Sequence, residues 1–169
     1  LPNDRIRVER FGEREFATDG ATLYSAFCSA CHGANGQGLR YQGMPAFPAI
    51  ASRDFLELAS DQFLVHNVQY GRPGRFMPAW DEKEGGLRPD EIKAIVAYLR
   101  AISGVAAPAP DTKPTRWARG DAAAGAGMFA AYCAGCHGAD GKGADGPALN
   151  NRVLLSSASD AYLMETTLR

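Results

Sequence analysis

One five-residue pattern, C-x-x-C-H, occurs twice in this 169-residue chain and constrains it more than any other feature. The copies lie at residues 28–32 and 133–137, and together they use all four cysteines of the sequence. Within each copy the cysteines are three residues apart, so one helical turn presents both on the same side, next to the histidine. No cysteine is left for a disulfide or for a separate catalytic thiol.

Three kinds of site share a C-x-x-C core. A zinc ribbon brings two such pairs together across about 15–20 residues, whereas here the pairs lie in two separate, self-similar segments. A thioredoxin-like redox motif needs a βαβ context, and no strand pattern surrounds either copy. The added histidine gives the attachment signature of a c-type haem, in which the cysteines form thioethers and the histidine binds the iron. The pattern predicts two covalently attached haem c groups. The thioether cysteines are Cys28, Cys31, Cys133 and Cys136, and the iron-binding histidines are His32 and His137.

The similarity between the two segments extends beyond the motif. In the eight residues before it, a glycine, a large apolar residue and two aromatic residues recur at the same offsets. After it come a glycine-rich loop and then Pro48 in one copy and Pro147 in the other. With these features the chain resembles the class I cytochrome c family in tandem dihaem form. The resemblance implies an all-α fold of two tandem class I cytochrome c domains with few or no strands.

The resemblance also implies roles for residues around each haem. The carbonyls of Pro48 and Pro147 would accept the Nδ1–H of the axial histidines and so orient them. Met77, which precedes a proline in a glycine-rich loop, would bind the first haem iron as sixth ligand, and a thioether there raises the reduction potential. Met44 also precedes a proline and is its rival, on the proximal side by analogy. His66, the only histidine outside the motifs, is predicted to be a packed or surface residue.

Composition and periodicity divide the chain into four parts. Residues 1–18 are charged and irregular, which predicts an arm outside the haem domains. The first domain spans residues 19–102 and ends in an amphipathic helix predicted over 87–100. Residues 103–119 contain three prolines and predict a semi-rigid linker. The second domain begins at residue 120 and runs to 169.

The second domain copies only part of the first. It matches as far as the helix predicted over residues 53–70, and the methionine loop and closing helix that follow in the family have no counterpart in this sequence. Three arrangements are then possible at the sixth position of the second iron. The ligand comes from a segment beyond Arg169, the position is open to small molecules, or Met164 fills it. A domain without its closing helix is expected to expose apolar surface, which whatever follows Arg169 would cover.

Charge and hydropathy exclude several classes of protein. A net charge of −1 gives no basic footprint for nucleic acid. No run reaches the 18 apolar residues of a transmembrane span. Because haem c is attached outside the cytoplasm in this family, the resemblance implies a periplasmic or other extracytoplasmic protein, tethered to a membrane only through a segment not present here.

The function expected from these features is electron transfer. A dihaem carrier would pass single electrons between a donor complex and an acceptor in a respiratory or photosynthetic chain, through transient contacts with redox protein partners. The alternative is a haem subunit of a larger oxidoreductase or membrane complex whose second haem is open or catalytic. An electron-transfer protein or subunit is predicted rather than a self-contained enzyme, and the donor and acceptor are not readable from the sequence.

Overall fold

The computed structural model describes residues 19–113 and 115–169, so the predicted arm, residues 1–18, lies outside the described residues. Within the described ranges the regular structure consists of nine α-helices, one π-helical turn and an isolated β-bridge between Leu39 and Phe47. The all-α prediction is therefore confirmed. No helix in these ranges is long and apolar enough to cross a membrane.

The first repeat contains five helices. They are α1 (Gly20–Phe27), α2 (Ser29–His32), α3 (Arg53–Leu58), α4 (Asp61–Tyr70) and α5 (Pro89–Ser103). The single helix predicted over 53–70 is in fact two, because Ala59 is extended and Ser60 caps α4 by accepting the N–H of Phe63 at 3.1 Å. A serine followed by an aspartate is a common start for a helix, so this break had a signal in the sequence.

Helices α1 and α5 cross closely and form the core of the first repeat. A Cβ built on Gly20 would lie 2.1 Å from the carbonyl oxygen of Ala94, so no larger residue fits there without moving a helix. The rings of Tyr24 and Tyr98 pack against each other with centroids 5.4 Å apart. The core of this crossing consists of buried apolar residues from α1, α5 and the turn before α5, namely Leu23, Tyr24, Leu87, Ile92, Ile95 and Leu99.

The second repeat contains the same elements up to its distal helix. They are α6 (Ala122–Met128), a π-helical turn (Phe129–Cys133), α7 (Ala134–His137), α8 (Arg152–Ser157) and α9 (Asp160–Leu168). Helix α6 is exposed: a Cβ on Gly125 would meet no atom within 4 Å, and the Tyr132 side chain in the following turn is 83% exposed. Among the described residues, no helix packs across α6 at Gly125 as α5 packs across α1 at Gly20.

The two repeats also pack directly on each other. Helix α4 contacts α8 and helix α3 contacts α9, so equivalent elements meet in a pseudo-two-fold arrangement. The equivalent rings of Phe63 and Tyr162 pack with centroids 4.6 Å apart, and Arg169 forms an ion pair with Glu57 at 2.8 Å. One apolar core spans the contact and draws its buried residues from both repeats and from the linker: Leu56, Ala59, Phe63, Leu64, Val96, Val105, Leu154 and Ala158.

The carboxyl-terminal end of the predicted linker is anchored on the second repeat. The carboxylate of Asp160 accepts the N–H groups of Trp117 and Ala118 at 2.7 and 2.8 Å. The N–H of Asp160 in turn donates to the carbonyl of Thr115 at 2.9 Å. Hydrogen bonds to Asp160 therefore hold this end of the predicted linker against the second repeat.

Two arginines make the same set of contacts in the two repeats but come from different elements. Arg100 lies on α5, and Arg116 lies in the linker. Each guanidinium donates to two carbonyls at the corner between two helices and to the aspartate that follows. The acceptors are Leu56, Ala59 and Asp61 for Arg100, and their counterparts Leu155, Ala158 and Asp160 for Arg116.

Candidate haem-binding sites

Both motif histidines are held by a proline carbonyl. Nδ1 of His32 lies 2.9 Å from the carbonyl oxygen of Pro48, and Nδ1 of His137 lies 2.7 Å from that of Pro147. A carbonyl only accepts, so in each pair Nδ1 carries the proton and donates it. Nε2 is then the deprotonated ring nitrogen, with a lone pair suited to a metal ion.

The loop after each histidine follows the same backbone path. Gly38 donates its N–H to the carbonyl of His32 at 2.8 Å, and Gly143 donates to that of His137 at 2.7 Å. Both glycines have positive φ, and a Cβ on Gly38 would lie 2.7 Å from the carbonyl oxygen of Phe47. Glycine is required at this point because the backbone turns with positive φ and the returning chain passes close to it.

The first site is buried. The His32 side chain is only 8% exposed, and burial lowers its pKa, opposed in part by the hydrogen bond to Pro48. A lowered pKa keeps the imidazole neutral, the form that binds metal. Burial, with a contribution from Cys31, raises the pKa of the Cys28 thiol to about 12. All four cysteines are unpaired in this structure, so each thiol remains available for a thioether.

The loop that carries Met77 is closed at its base by backbone contacts. The N–H of Arg72 donates to the carbonyl of Met77 at 2.8 Å. Gly71 has φ +61°, and a Cβ there would lie 2.4 Å from the carbonyl carbon of Pro78. The methionine therefore sits in a defined loop rather than in a flexible connection.

An aromatic contact docks this loop against the first haem motif. The ring of Trp80, three residues after Met77, packs edge-on against Phe27 with centroids 5.3 Å apart. Phe27 directly precedes Cys28, so the end of the methionine loop lies beside the turn that carries the thiols. Ligation of the first iron by the Met77 sulfur stays a prediction that this arrangement favours.

Met44, the rival of Met77, and His66, the histidine outside the motifs, lie outside this arrangement. Met44 is 37% exposed, in the loop between His32 and Pro48. The ring of His66 packs against Tyr70 in a tilted arrangement with centroids 4.7 Å apart, and its Nε2 lies 3.3 Å from the hydroxyl of Ser156 in the second repeat. His66 is thus a packing residue at the contact between repeats, in line with its sequence-based interpretation.

The second site is more open than the first. Cys136 is exposed, whereas both motif cysteines of the first repeat are partly buried. Beside the glycine loop that follows His137, a cleft of about 400 Å³ is bordered by Phe129, Leu149 and Leu155, whose counterparts in the first repeat lie in or beside its apolar cores. The two methionines of this repeat are 63% exposed at Met128 on α6 and 43% exposed at Met164 on α9. Met164 remains the candidate internal ligand for the second iron, as the sequence suggested.

The donor set in each repeat fits a haem c group. Two thiols and one imidazole lie on a single turn, and the imidazole is oriented by a fixed carbonyl acceptor. Bound haem would supply reversible one-electron chemistry at its iron. The protein would attach the porphyrin through thioethers, orient the proximal ligand and shield the first site from water.

Sequence reasoning missed two residues that shape the first site. The hydroxyl of Tyr24 donates to the carbonyl of Gly33 at 2.6 Å and ties α1 to the turn after His32. Trp80 fixes the distal loop against α1, as described above. Both are aromatic residues close to the predicted ligands in sequence, but only the folded chain shows what they contact.

Comparison with known proteins identifies a family that covers most of the chain. The model of the family "cytochrome c oxidase, cbb3-type, subunit III" matches residues 15–99 and 120–168. A cbb3-type cytochrome c oxidase subunit FixP from Bradyrhizobium sp. (strain ORS 278) is 34% identical over 158 residues, covering 87% of this chain and 49% of the relative. A cbb3-type cytochrome c oxidase subunit CcoP from Rhodobacter capsulatus is 32% identical over 162 residues, covering 89% of this chain and 49% of the relative.

The chain thus spans about half the length of the curated relatives it matches. The matched segments include both C-x-x-C-H motifs and most of the described helices. The chain belongs to the family of subunit III of cbb3-type cytochrome c oxidases and is a dihaem c-type cytochrome.

Proposed function

We propose that this chain holds two haem c groups in series and carries single electrons between a donor and a terminal oxidase. The observation that supports this most strongly is the matched pair of histidine–proline hydrogen bonds, 2.9 and 2.7 Å, each directly beside a C-x-x-C-H turn. Two equally prepared proximal sites in one chain suit a relay, in which each iron changes oxidation state by one electron. The haem units are residues 19–102 and 120–169, joined by the linker 103–119.

At the first site, Cys28 and Cys31 form the thioethers and His32 binds the iron from the proximal side. Met77 fills the distal position from its closed loop. An iron with two protein ligands has no position for substrate, so this haem only takes up and releases electrons. The His/Met pair gives it a higher potential than two nitrogen ligands would.

At the second site, Cys133 and Cys136 form the thioethers and His137 is the proximal ligand. Both methionines of this repeat, Met128 and Met164, are exposed. The second candidate function depends on this point: with an open sixth position, the second haem would bind small molecules and act as a catalytic or sensing centre of the oxidoreductase.

The names of the relatives support a membrane complex as the setting of this carrier. FixP and CcoP are named as subunits of cbb3-type oxidases, and we propose that this chain serves the same kind of oxidase on the extracytoplasmic side, where haem c is attached. We expect its contact with the electron donor to be transient and its contact with the other oxidase subunits to be permanent.

Carbon monoxide binding to the reduced protein tests the ligand assignments. We expect the first haem of the unmodified protein not to react, because Met77 occupies its iron, and the Met77→Ala variant to bind carbon monoxide at that haem. Met44→Ala is the matched control, since it removes the other methionine that precedes a proline in this repeat, and it should leave the spectrum unchanged. Reaction of the Met44 variant instead would contradict the assignment. Reaction of the second haem in the unmodified protein would favour the open-site function.

Electron delivery is tested with the assembled oxidase. Oxygen consumption driven by a reduced donor cytochrome should fall severalfold in the His32→Ala variant, because one relay position is lost. Consumption driven by a small artificial donor that reduces the oxidase core directly should be unchanged. Equal loss with both donors would show a structural defect rather than a broken relay.

A further inference from the structure

The methionine loop of the first repeat, residues 71–78, contacts the second repeat at two points. The side-chain amide of Asn151 donates from Nδ2 to the carbonyl of Pro73 at 3.2 Å. A Cβ built on Gly143 would lie 3.0 Å from Cζ and Nη2 of Arg75, so that guanidinium packs against the glycine. Both points on the second repeat belong to the segment that follows its motif histidine. The distal loop of one site therefore rests on the proximal segment of the other.

The amide of Asn151 is buried, and its hydrogen bonds fix its orientation. Only 5% of the residue is exposed. Its Oδ1 accepts the N–H groups of Val153 and Leu154 at 3.1 and 3.3 Å, at the start of α8. Because backbone N–H groups only donate, the amide oxygen must face them, and the NH₂ group then faces the carbonyl of Pro73.

The equivalent position of the first repeat shows that the fold does not depend on this side chain as a helix cap. Ser52 precedes α3 there, is exposed and makes no side-chain cap hydrogen bond among the described residues. Helices α3 and α8 nevertheless have the same length of six residues. What Asn151 adds at this position is a buried donor directed at the other repeat.

Pro73 lies in the hydrogen-bonded part of the methionine loop. The N–H of Arg72 donates to the carbonyl of Met77 at 2.8 Å, and the N–H of Arg75 donates to the carbonyl of Arg72 at 2.9 Å. A donor on the Pro73 carbonyl therefore acts on the same turn that ends at Met77. Loss of that donor frees one side of the turn and makes it easier for Met77 to move.

We propose that Asn151 is a positioning residue for the distal ligand of the first haem and holds the methionine loop closed against the second repeat. The inference rests on the proposed ligation of the first iron by Met77. A neutral thioether is a soft ligand and binds the harder ferric iron weakly, so the closed loop limits how often the sulfur leaves. Asn151 lies four residues after Pro147, whose carbonyl orients His137. The distal ligand of one haem thus depends on the segment that orients the proximal ligand of the other.

Imidazole binding to the oxidised, haem-loaded protein tests the proposal, because imidazole reaches the first iron only after the Met77 sulfur leaves. The Asn151→Ser variant keeps a side chain that can cap α8 and loses the NH₂ group that reaches Pro73. We expect its rate of imidazole binding at the first haem to rise about fivefold, as for the loss of one hydrogen bond.

Ser157→Ala is the matched control for this variant. It removes a hydrogen bond between the repeats of similar length, from Nδ2 of Asn67 to the hydroxyl of Ser157 at 3.3 Å, that lies outside the methionine loop. This variant should bind imidazole at the rate of the unmodified protein. A similar acceleration by Ser157→Ala would show a general loosening of the contact between repeats and would overturn the proposal.

A second variant separates the positioning role from the ligation itself. Met77→Ala should accelerate imidazole binding at one haem, which identifies the first haem, and the added change Asn151→Ser should have no further effect because no sulfur is left to hold. If Met77→Ala does not accelerate binding, both the ligation and the positioning role are wrong. If Met77→Ala accelerates binding and Asn151→Ser does not, only the positioning role is wrong. Equal acceleration by Asn151→Ser with and without Met77 would also overturn it.

Hydrogen exchange covers the case in which the serine variant does not load haem. In Asn151→Asp the carboxylate can still cap α8 but cannot donate to Pro73. The amide hydrogens of Arg72 and Arg75 should then exchange about fivefold faster than in the unmodified protein, and those of the Ser157→Ala variant should not. Unchanged exchange in Asn151→Asp would overturn the proposal.

Discussion

The two repeats share one haem motif but differ in what covers their first helix. In the first repeat α1 is crossed by α5 so closely that Gly20 touches the backbone of Ala94, and Tyr24 is almost fully buried. In the second repeat a Cβ on Gly125 would have no neighbour within 4 Å, and Phe129, the counterpart of Tyr24, is only partly buried. Even so, the histidine–proline hydrogen bond is present in both.

This difference separates two levels of organisation. The proximal side of each site is local, because the proline carbonyl follows the motif histidine by only 16 residues in one repeat and ten in the other. The apolar core is long-range, because it needs a helix that follows more than 60 residues later in the chain. The first level can therefore form without the second.

Replacement of the matched glycines tests this contrast with the largest expected effect. Gly20→Ala should destabilise the protein by about 3 kcal/mol, since overpacking by one methyl at a backbone contact outweighs the gain in helix propensity. Gly125→Ala should be neutral or stabilising by up to ~1 kcal/mol, since alanine favours the helix and meets nothing. Urea denaturation of the two variants measures both values. An equal loss at Gly125 would show that α6 is crossed by a helix after all.

The paired arginines sharpen the comparison. Arg100→Met should cost about 2 kcal/mol, because its side chain is 11% exposed and its removal leaves the Leu56 and Ala59 carbonyls without their charged donor. Arg116→Met should cost less than about 1 kcal/mol, since that side chain is 49% exposed and water can replace it. Thermal unfolding of the two variants, compared with the unmodified protein, gives the order. A larger loss from Arg116 would mean that the linker, and not α5, dominates stability.

Tyr24 has a hydroxyl that its counterpart in the second repeat, Phe129, lacks. Tyr24→Phe should destabilise the protein by about 1 kcal/mol, because the buried carbonyl of Gly33 loses its donor. The reverse change in the other repeat, Phe129→Tyr, should have no measurable effect on the free energy of unfolding, because this half-buried residue of the π-helical turn has no described helix packed across it as α5 packs across α1. Denaturant titration of both variants is the measurement, and a stabilising Phe129→Tyr would indicate that the second repeat can form the same bond.

The smallest effect on stability is expected from protonation of Asp160, the residue of α9 that binds the end of the linker. Hydrogen bonds from Ala118 and Trp117 lower the pKa of Asp160 below its ordinary value of 3.8. Its contribution to stability is therefore complete above pH 3.8 and is lost as pH falls through the lowered pKa. In Asp160→Asn the amides of Trp117 and Ala118 should exchange hydrogen faster at neutral pH, whereas Asp61→Asn should leave them unchanged. Unaltered exchange in the first variant would show that Asp160 does not anchor the linker.

Much of the proximal architecture could be predicted from the sequence because it depends on short-range pattern. The motif histidines follow from the C-x-x-C-H spacing, and the proline acceptors from the family resemblance. A local cap is also present at the start of α1, where Asp19 accepts the N–H of Thr22 at 2.9 Å. The closing helix was predicted over 87–100 and forms at Pro89–Ser103. The methionine assignment at Met77 remains a prediction, although its loop has the compact geometry that ligation needs.

The contact between the repeats could not be predicted in the same way. Phe63 and Tyr162 occupy equivalent positions in the two repeats, and their positions in the sequence do not show that one ring packs on the other. Prolines predicted a semi-rigid linker, but not the hydrogen bonds through which Asp160 and Arg116 join its carboxyl-terminal end to the second repeat. Both features depend on residues more than 40 positions apart, which a single sequence does not connect.

The intact mass of the protein tests the central claim most directly, which is that each repeat attaches its own haem. The unmodified protein should carry the mass of two haem groups after denaturation. The double variant Cys28→Ala/Cys31→Ala should carry one, and so should Cys133→Ala/Cys136→Ala. A mass without haem, or the loss of both groups from either double variant, would contradict the account.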